Sequence, residues 1–300
     1  MGNSLGINST VKIVRKYPYH WHDDLTIVMV VSGKVSIRMW ARDNIMERGD
    51  FAVINPREVH KLEGVTNDNL IVVTSISEEF CKKVYGGYED SVILCNSNRY
   101  RHKNPSKYKA LELKLKDLIC SYEEDENECS NIVLAATELV KYMYRNFDYL
   151  SVGNDLNRFS DYIITRNKML YRKIFLNFGE YQNLSLKEIA EKLGVNYTYL
   201  RTDILEKFGH GFRWLKYTIM TENAARLALS TDMNLMNIGL QCGFSDQKYM
   251  IKYFKTFYEC TPSQFRKKYK DVGNLNEDNL YVDIPIKYVM LFCEYMRKFS

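Results

Sequence analysis

The chain has 300 residues, which is long enough for two domains that each bury a core of their own. Its apolar fraction of 46% and charged fraction of 26% are ordinary for a globular protein, and its net charge is +5. No run reaches the roughly 18 apolar residues of a membrane helix, and seven irregularly spaced cysteines without a secretory signal indicate reduced thiols in a cytoplasmic protein.

Residues 10–80 are predicted to be mainly β-structure. Four runs rich in Val and Ile, broken by turns that contain Gly, Asn or Pro, predict strands at residues 25–31, 34–40, 50–56 and 70–76. Many short strands at this spacing are typical of a small sandwich or barrel.

A helical pattern with two apolar stripes follows, at residues 106–119 and 132–147, with an acidic break at residues 123–128. Two interpretations stay open for these helices. They either cap the β-domain or bury their stripes against a second copy of the chain, which would make a homodimer. Residues 151–160 are predicted to be a linker.

Two segments of the helical C-terminal half share one design, at residues 184–209 and 234–259. Each has a short helix, a turn with Gly, a polar helix start and a second helix with an apolar face. Residues 212–230 are a long connecting helix between them. The residues predicted to form the starts and turns are Ser185 with Glu188, Gly194 and Asn196 in the first segment, and Gly243 with Ser245 or Asp246 in the second.

This repeated design is the helix-turn-helix unit, whose second helix lies in the major groove of double-stranded DNA. Residues 161–270 carry a net charge of about +8 and the remainder about −3, which favours a polyanion as partner. At the head of the second recognition helix, Gln247 is suited to adenine, and Lys248 and Lys252 are suited to guanine. Lys255 lies further along and is predicted to contact phosphate.

Several longer stretches make the comparison more specific: LSLKEIAEKLGV (184–195), YL (199–200), FG (208–209), LSTD (229–232), GFSDQKY (243–249), FK (254–255) and TPSQFR (261–266). They resemble the DNA-binding domain of AraC-type transcriptional regulators. The resemblance implies two helix-turn-helix units on one rigid helix, which would place both recognition helices on one face of the DNA. It also implies that the base-facing residues of the first recognition helix are Tyr197, Thr198, Arg201 and Thr202.

The first unit departs from the family pattern. Asp203 follows the base-facing positions and would bring an anion near DNA unless it turns away, and Met220 replaces a residue that is often basic. Residues 185–209 have a net charge of about zero, whereas residues 238–269 carry about +4. We therefore expect the second unit to supply more of the electrostatic affinity, and an adaptor that has lost DNA binding is a further alternative.

The stretches at 20–37 and 49–60 resemble a cupin, the small β-barrel that many AraC-type proteins carry as a sensor. The residues that carry this resemblance are His20, His22, Gly33, Gly49, Asp50, Pro56 and His60. The resemblance implies that the barrel binds a small-molecule effector, such as a sugar or another metabolite.

The three histidines also raise a metal hypothesis. His20 and His22 point to one face of a strand. With His60 and a carboxylate from Asp23 or Asp24 they would resemble an iron or manganese site. Apolar residues follow where cupin enzymes have their Glu ligand, so we predict a ligand pocket without metal, cofactor or catalytic residue. Its predicted ligand contacts are His20, His22, Trp40 and His60, with core packing as the alternative for Trp40 and a structural or surface role for the histidines.

The sequence thus predicts an α+β protein with four segments. These are a cupin-like β-barrel (1–100), a helical connector (101–160), an all-α domain with two helix-turn-helix units (161–270) and a tail of unassigned role (271–300). The predicted function is that of a cytoplasmic transcription regulator with DNA, a small-molecule effector and a second copy as partners, and no membrane contact. A metal-dependent cupin enzyme with a helical appendage is the alternative.

Overall fold

A computed structural model describes most of the chain and divides it into two compact units. The first unit, called here the sheet unit, contains residues 1–38, 43–148 and 275–300, and the second, the helical unit, contains residues 39–42 and 149–274. The described residues are 5–39, 42–88, 91–122, 129–147, 184–270 and 281–284. The predicted linker at 151–160 and most of the predicted tail lie outside them.

The sheet unit consists of two antiparallel sheets. The first has the strand order β6-β3-β8-β1-β9 and the second the order β2-β7-β4-β5. The strands are β1 (Ile7–Val14), β2 (Lys16–His20), β3 (Leu25–Ser32), β4 (Lys34–Met39), β5 (Arg42–Glu47), β6 (Phe51–Ile54), β7 (His60–Gly64), β8 (Leu70–Ile76) and β9 (Tyr281–Ile284).

Strand β3 shows why its sequence is apolar almost without alternation. It lies between β6 and β8, and both of its faces are covered. Leu25, Ile27 and Met29 point into a hydrophobic core, whereas Thr26 and Val28 point to the opposite face and line a cavity. A strand covered on both faces reads as a continuous hydrophobic run.

Two long helices provide that core on the outer face of the sheet. They are α3 (Pro105–Cys120) and α4 (Cys129–Asn146), preceded by the short helices α1 (Glu78–Val84) and α2 (Ser97–Tyr100) and a 3-10 turn at Arg101–Lys103. The apolar stripes of α3 and α4 share one hydrophobic core with the strands. Of the two interpretations for these helices, the structure shows the cap on the β-domain, and the homodimer stays a prediction.

The predicted tail contributes a strand to this unit. Residues Tyr281–Ile284 form β9, which pairs antiparallel with β1 at the edge of the first sheet. The Nζ atom of Lys12 donates to Asp283 at 2.7 Å and lies 3.4 Å from the centre of the Tyr281 ring. Part of the tail to which the sequence assigned no role is therefore the edge strand of the first sheet, next to the N-terminal strand β1.

The helical unit has six described helices. They are α5 (Leu186–Leu193), α6 (Tyr197–Phe208), α7 (Phe212–Ser230), α8 (Leu235–Gln241), α9 (Gln247–Tyr258) and α10 (Pro262–Tyr269). Helices α6, α8, α9 and α10 all pack against α7, and α5 packs against α6. The predicted connecting helix at 212–230 and the mixed α+β fold class are confirmed. In the described parts of the chain, no helix is long and apolar enough to cross a membrane.

Candidate nucleic-acid interface and ligand pocket

Local hydrogen bonds fix the start of both candidate recognition helices. The side chain of Asn196 accepts from the backbone N–H of Tyr199 at 3.1 Å and caps α6. Asp246, rather than Ser245, caps α9 by accepting from the backbone N–H of Lys248 at 2.7 Å. A short side-chain acceptor at this position satisfies donors that the first helical turn leaves unpaired.

The helices that precede the recognition helices are α5 and α8, and the predicted residues form the start of α5 and the turns after both helices. Ser185 and Glu188 form a reciprocal capping box at the start of α5. Gly194 ends that helix at a φ of 62° and Gly243 follows α8 at a φ of 84°, in a region that glycine tolerates best. The two helix-turn-helix units are therefore built from the same local devices.

In the first unit, the predicted base-facing residues form one exposed face of α6. The opposite face is buried, with Leu200 and Ile204 fully covered. Asp203 is only 7% exposed, so this carboxylate turns away from the outward face. The predicted residues, all exposed, are Tyr197, Thr198, Arg201 and Thr202.

In the second unit, an aromatic stripe anchors α9 and leaves a basic face outward. Met250 and Phe254 are fully buried, and the ring of Tyr253 stacks on Tyr217 of α7 with centroids 3.8 Å apart. Since the apolar face is held by α7, the polar face remains accessible. The predicted residues on it, all exposed, are Gln247, Lys248, Lys252 and Lys255.

The TPSQFR stretch has a structural role that sequence reasoning missed. Thr261 forms a capping box with Gln264 at the start of α10, and Phe265 is fully buried. The guanidinium of Arg266 donates to the carbonyl oxygens of Ala228 and Met233, at 3.2 and 2.7 Å. This basic residue therefore ties α10 to the end of α7 and does not belong to the outward basic face.

The sheet unit has a partly open cavity of about 150 Å³ between its two sheets. Residues from strands of both sheets line it, including β9. The lining residues are Lys12, Val14, Tyr17, His20, His22, Thr26, Val28, Ile54, His60, Leu62, Ile71, Val73, Ser75 and Tyr281.

The three predicted histidines meet in this cavity. His20 and His60 face each other where β2 and β7 pair, with ring centroids 4.1 Å apart, and His22 lies 4.9 Å from His60. One nitrogen of each ring lies within 4.8 Å of a nitrogen of the other two. Sequence spacing predicted that His20 and His22 share a face, and only the fold shows that His60 joins them.

Each of these rings is held in one tautomer. In each case Nδ1 lies at hydrogen-bond distance from a backbone carbonyl, which only accepts, so Nδ1 carries the proton and Nε2 keeps a lone pair. The carbonyls belong to Pro18 for His20 at 2.9 Å, Asp24 for His22 at 2.9 Å and Glu58 for His60 at 2.8 Å.

The environment keeps the rings neutral. Burial, the largest cause, lowers the pKa of His20 to about 4 and lowers the pKa of His22 from its ordinary value. Burial and the other two histidines hold the pKa of His60 well below the ordinary value. Among the described residues, Nε2 of His60 has no hydrogen-bond partner although the side chain is buried, and such an unmet acceptor costs about 1–3 kcal/mol.

Other predicted pocket residues have different outcomes. Trp40 lies outside the described residues. The acidic pair beside His22 is not part of the histidine cluster within the described chain, and Asp23 instead accepts from Nε of Arg57 at 2.9 Å. Tyr281 lines the cavity and was missed, because only the pairing of β9 with β1 brings it there.

Comparisons with known proteins give separate matches for the sheet unit and for the helical unit. A model of the AraC-like ligand-binding domain matches residues 12–71, and a model of a helix-turn-helix domain matches residues 189–268. The HTH-type transcriptional regulator YbfI of Bacillus subtilis (strain 168) is 23% identical over 247 residues, which are 79% of this chain and 82% of that protein.

A relative from Staphylococcus aureus (strain MSSA476), the HTH-type transcriptional regulator SAS0078, is 32% identical over 92 residues. The match covers 31% of this chain, and the chain spans only 12% of that relative's length. The solved structure of ToxT from Vibrio cholerae O395 has a TM-score of 0.44 at 15% identity and covers 87% of this chain and 97% of that one. The chain thus combines an AraC-like ligand-binding domain with a helix-turn-helix domain, the pair of domains that is typical of AraC-type transcriptional regulators.

Proposed function

We propose that this protein is a sequence-specific DNA-binding transcription regulator whose sheet unit senses a small molecule. The observation that carries the proposal is the pair of helix-turn-helix units on one helix, α7, each with a capped recognition helix and an outward polar face. The second helix of such a unit lies in the major groove and contacts base edges with residues near its N-terminal end.

The second unit is proposed to supply the larger electrostatic share of the affinity. Lys248, Lys252 and Lys255 are exposed on α9, whereas the first unit has no net charge. Gln247, at the first turn of α9, is proposed to read a base through its amide, and Lys255 to contact phosphate.

The first unit is proposed to contribute readout more than charge. Tyr197, Thr198, Arg201 and Thr202 are the residues proposed to face the bases. Burial of Asp203 removes the main objection to this role, because the carboxylate does not oppose the phosphates from the exposed face.

The effector is proposed to be small. A cavity of about 150 Å³ is comparable to an engineered cavity that accepts benzene, so it suits a ligand of about six heavy atoms, such as a compact metabolite or a small sugar. His20, His22 and His60 are proposed as its contacts. We further propose that the regulator works in the cytoplasm as a homodimer and has no enzymatic activity.

The test is a gel-shift titration on genomic DNA fragments over a range of salt concentrations. The parent should select a small set of fragments with an affinity that falls as salt rises. Lys252→Ala should weaken binding to all fragments, and Gln247→Ala should relax sequence choice at one base position. Lys109→Ala, an exposed lysine of the sheet unit, serves as the control and should bind like the parent. Fragment binding that neither variant changes would contradict the proposal.

A metal-dependent enzyme is the second candidate, because the three histidines share one cavity. An enzyme would convert a small molecule without any effect on DNA affinity. A regulator would show a shift in the gel-shift midpoint when the cavity is filled, and this coupling is reciprocal by thermodynamic necessity.

A further inference from the structure

We propose that the cavity of the sheet unit holds a divalent transition-metal ion, bound by Nε2 of His20, His22 and His60. This deepens the proposed function, since it assigns a ligand class to the same sensing cavity and so rests on that function for its biological meaning. It also replaces our expectation from sequence that the cavity contains no metal.

The argument begins with the direction of the lone pairs. The three Nδ1–H groups donate to the backbone carbonyls of Pro18, Asp24 and Glu58. Each ring is thereby left with one acceptor, Nε2. In proteins, histidines that ligate metals are oriented in the same way, by a hydrogen bond that the other ring nitrogen donates. The backbone alone sets this arrangement, so it is present before any ion binds.

A buried acceptor, Nε2 of His60, that lies beside two further histidines is poorly explained as part of a purely structural cluster. No side chain within the described residues donates to Nε2 of His60. A cation satisfies all three lone pairs at once, and one water has only two protons for them.

The donor set selects the class of metal. Neutral imidazoles suit zinc, iron, cobalt, nickel and copper, whereas magnesium and calcium prefer oxygen ligands. Zinc–nitrogen bonds are about 2.0–2.1 Å, so ring nitrogens within 4.8 Å of one another need only small side-chain rotations to reach a common ion.

Three protein ligands leave at least one coordination position open. That position would face the rest of the cavity, which is lined by polar as well as apolar side chains, including Thr26 and Ser75. The ligand class that completes such a site is water or a small metabolite with an oxygen donor. In this proposal the ion helps to bind the effector, and no reaction is assigned to it.

The test uses the full chain, stripped with a chelator and titrated with cobalt(II) chloride, whose visible absorption reports nitrogen ligation. One equivalent should produce a visible band, and zinc chloride should abolish it by displacement. His22→Gln, at a partly exposed position, should lower cobalt affinity by at least about 100-fold, because the loss of a hydrogen-bond partner of a metal ligand already costs about 10–100-fold. His60→Ala should eliminate the band.

The matched control is His102→Ala, an exposed histidine of the same unit that lies outside the cluster. It should bind cobalt like the parent, and circular dichroism should show that each variant keeps its fold. Absence of stoichiometric binding in the parent, or equal binding by His22→Gln and the parent, would overturn the metal site. Because no DNA is present, such a failure leaves the gel-shift result untouched, and a failed gel shift leaves the metal result untouched.

Discussion

The two helix-turn-helix units share the same order of short helix, turn with glycine and capped second helix, and they have very different surfaces. The side chains of Asn196 and Asp246 each cap the start of a recognition helix, and both helices pack on α7. Yet residues 185–209 carry no net charge and residues 238–269 carry about +4. Caps and buried residues determine how a unit folds. The exposed residues can therefore differ between the two units, and with them the affinity for DNA and the bases that each unit reads.

The largest expected effect comes from breaking the core of the second unit. Phe254 is fully buried and its ring contacts Phe265 at a centroid distance of 5.5 Å. Phe254→Ala should lower the free energy of unfolding by about 3–5 kcal/mol and remove specific DNA binding. Urea unfolding measures the change. Tyr197→Ala, at an exposed position of the first unit, should stay within about 0.5 kcal/mol of the parent. Equal effects at both positions would show that α9 is not anchored as described.

Base readout is the next effect in size. Gln247→Ala should remove about 1–3 kcal/mol of discrimination at one base position, because a bidentate contact to adenine is lost. Arg201→Ala should do the same in the half of the target that the first unit occupies. Binding to a panel of single-base variants of one selected fragment measures both. If both substitutions altered preference at the same base, the assignment of one unit to each half would be wrong.

The ends of the recognition helices differ in a way that stability measurements can resolve. Helix α6 ends on Gly209 at a φ of 68°, and α9 ends on Glu259 at a φ of 61°. A residue other than glycine in this region costs about 1–2 kcal/mol, partly offset by the smaller entropy of its unfolded chain. Gly209→Ala should therefore destabilise by about 1 kcal/mol, and Glu259→Gly should stabilise by up to about 1 kcal/mol.

Thermal unfolding of both variants tests this prediction, and Gly86→Ala provides the control. Gly86 has no positive φ and has open space around an added Cβ atom, so the substitution should have little effect. Shifts of the same sign for Gly209→Ala and Glu259→Gly would contradict the proposed origin of the strain.

The smallest expected effect is electrostatic. Lys255→Gln should make the slope of log affinity against log salt shallower by about 0.9, the contribution of one phosphate contact. It should change sequence preference little, in contrast to Gln247→Ala. Lys109→Gln in the sheet unit should leave the slope unchanged. A parental slope for Lys255→Gln would remove this residue from the proposed phosphate contacts.

Local features of both units were predictable from sequence because their causes lie within a few residues. The capping box of Ser185 and Glu188, the turn at Gly194 and the cap by Asn196 all depend on hydrogen bonds or backbone angles next to the residue itself. The strand at residues 25–31 was predictable for the same reason, since its composition is local.

Features that join distant segments were not predictable. The contacts of Arg266 with the end of α7 depend on how α10 packs, and the meeting of His60 with His20 depends on the pairing of β2 with β7. The capping of the sheet by α3 and α4 was left open because an apolar stripe does not identify the surface that covers it.

The pairing of β9 with β1 has a consequence for synthesis of the protein. Lys12 and its partner Asp283 are 271 positions apart, and the whole helical unit lies between them in the chain. During translation the emerging β1 has neighbours on one side only, and its open edge is a site for unwanted association until the distant strand leaves the ribosome. A nonsense mutation between α10 and β9 would thus spare every DNA-reading element and still leave the sensing domain with a bare edge.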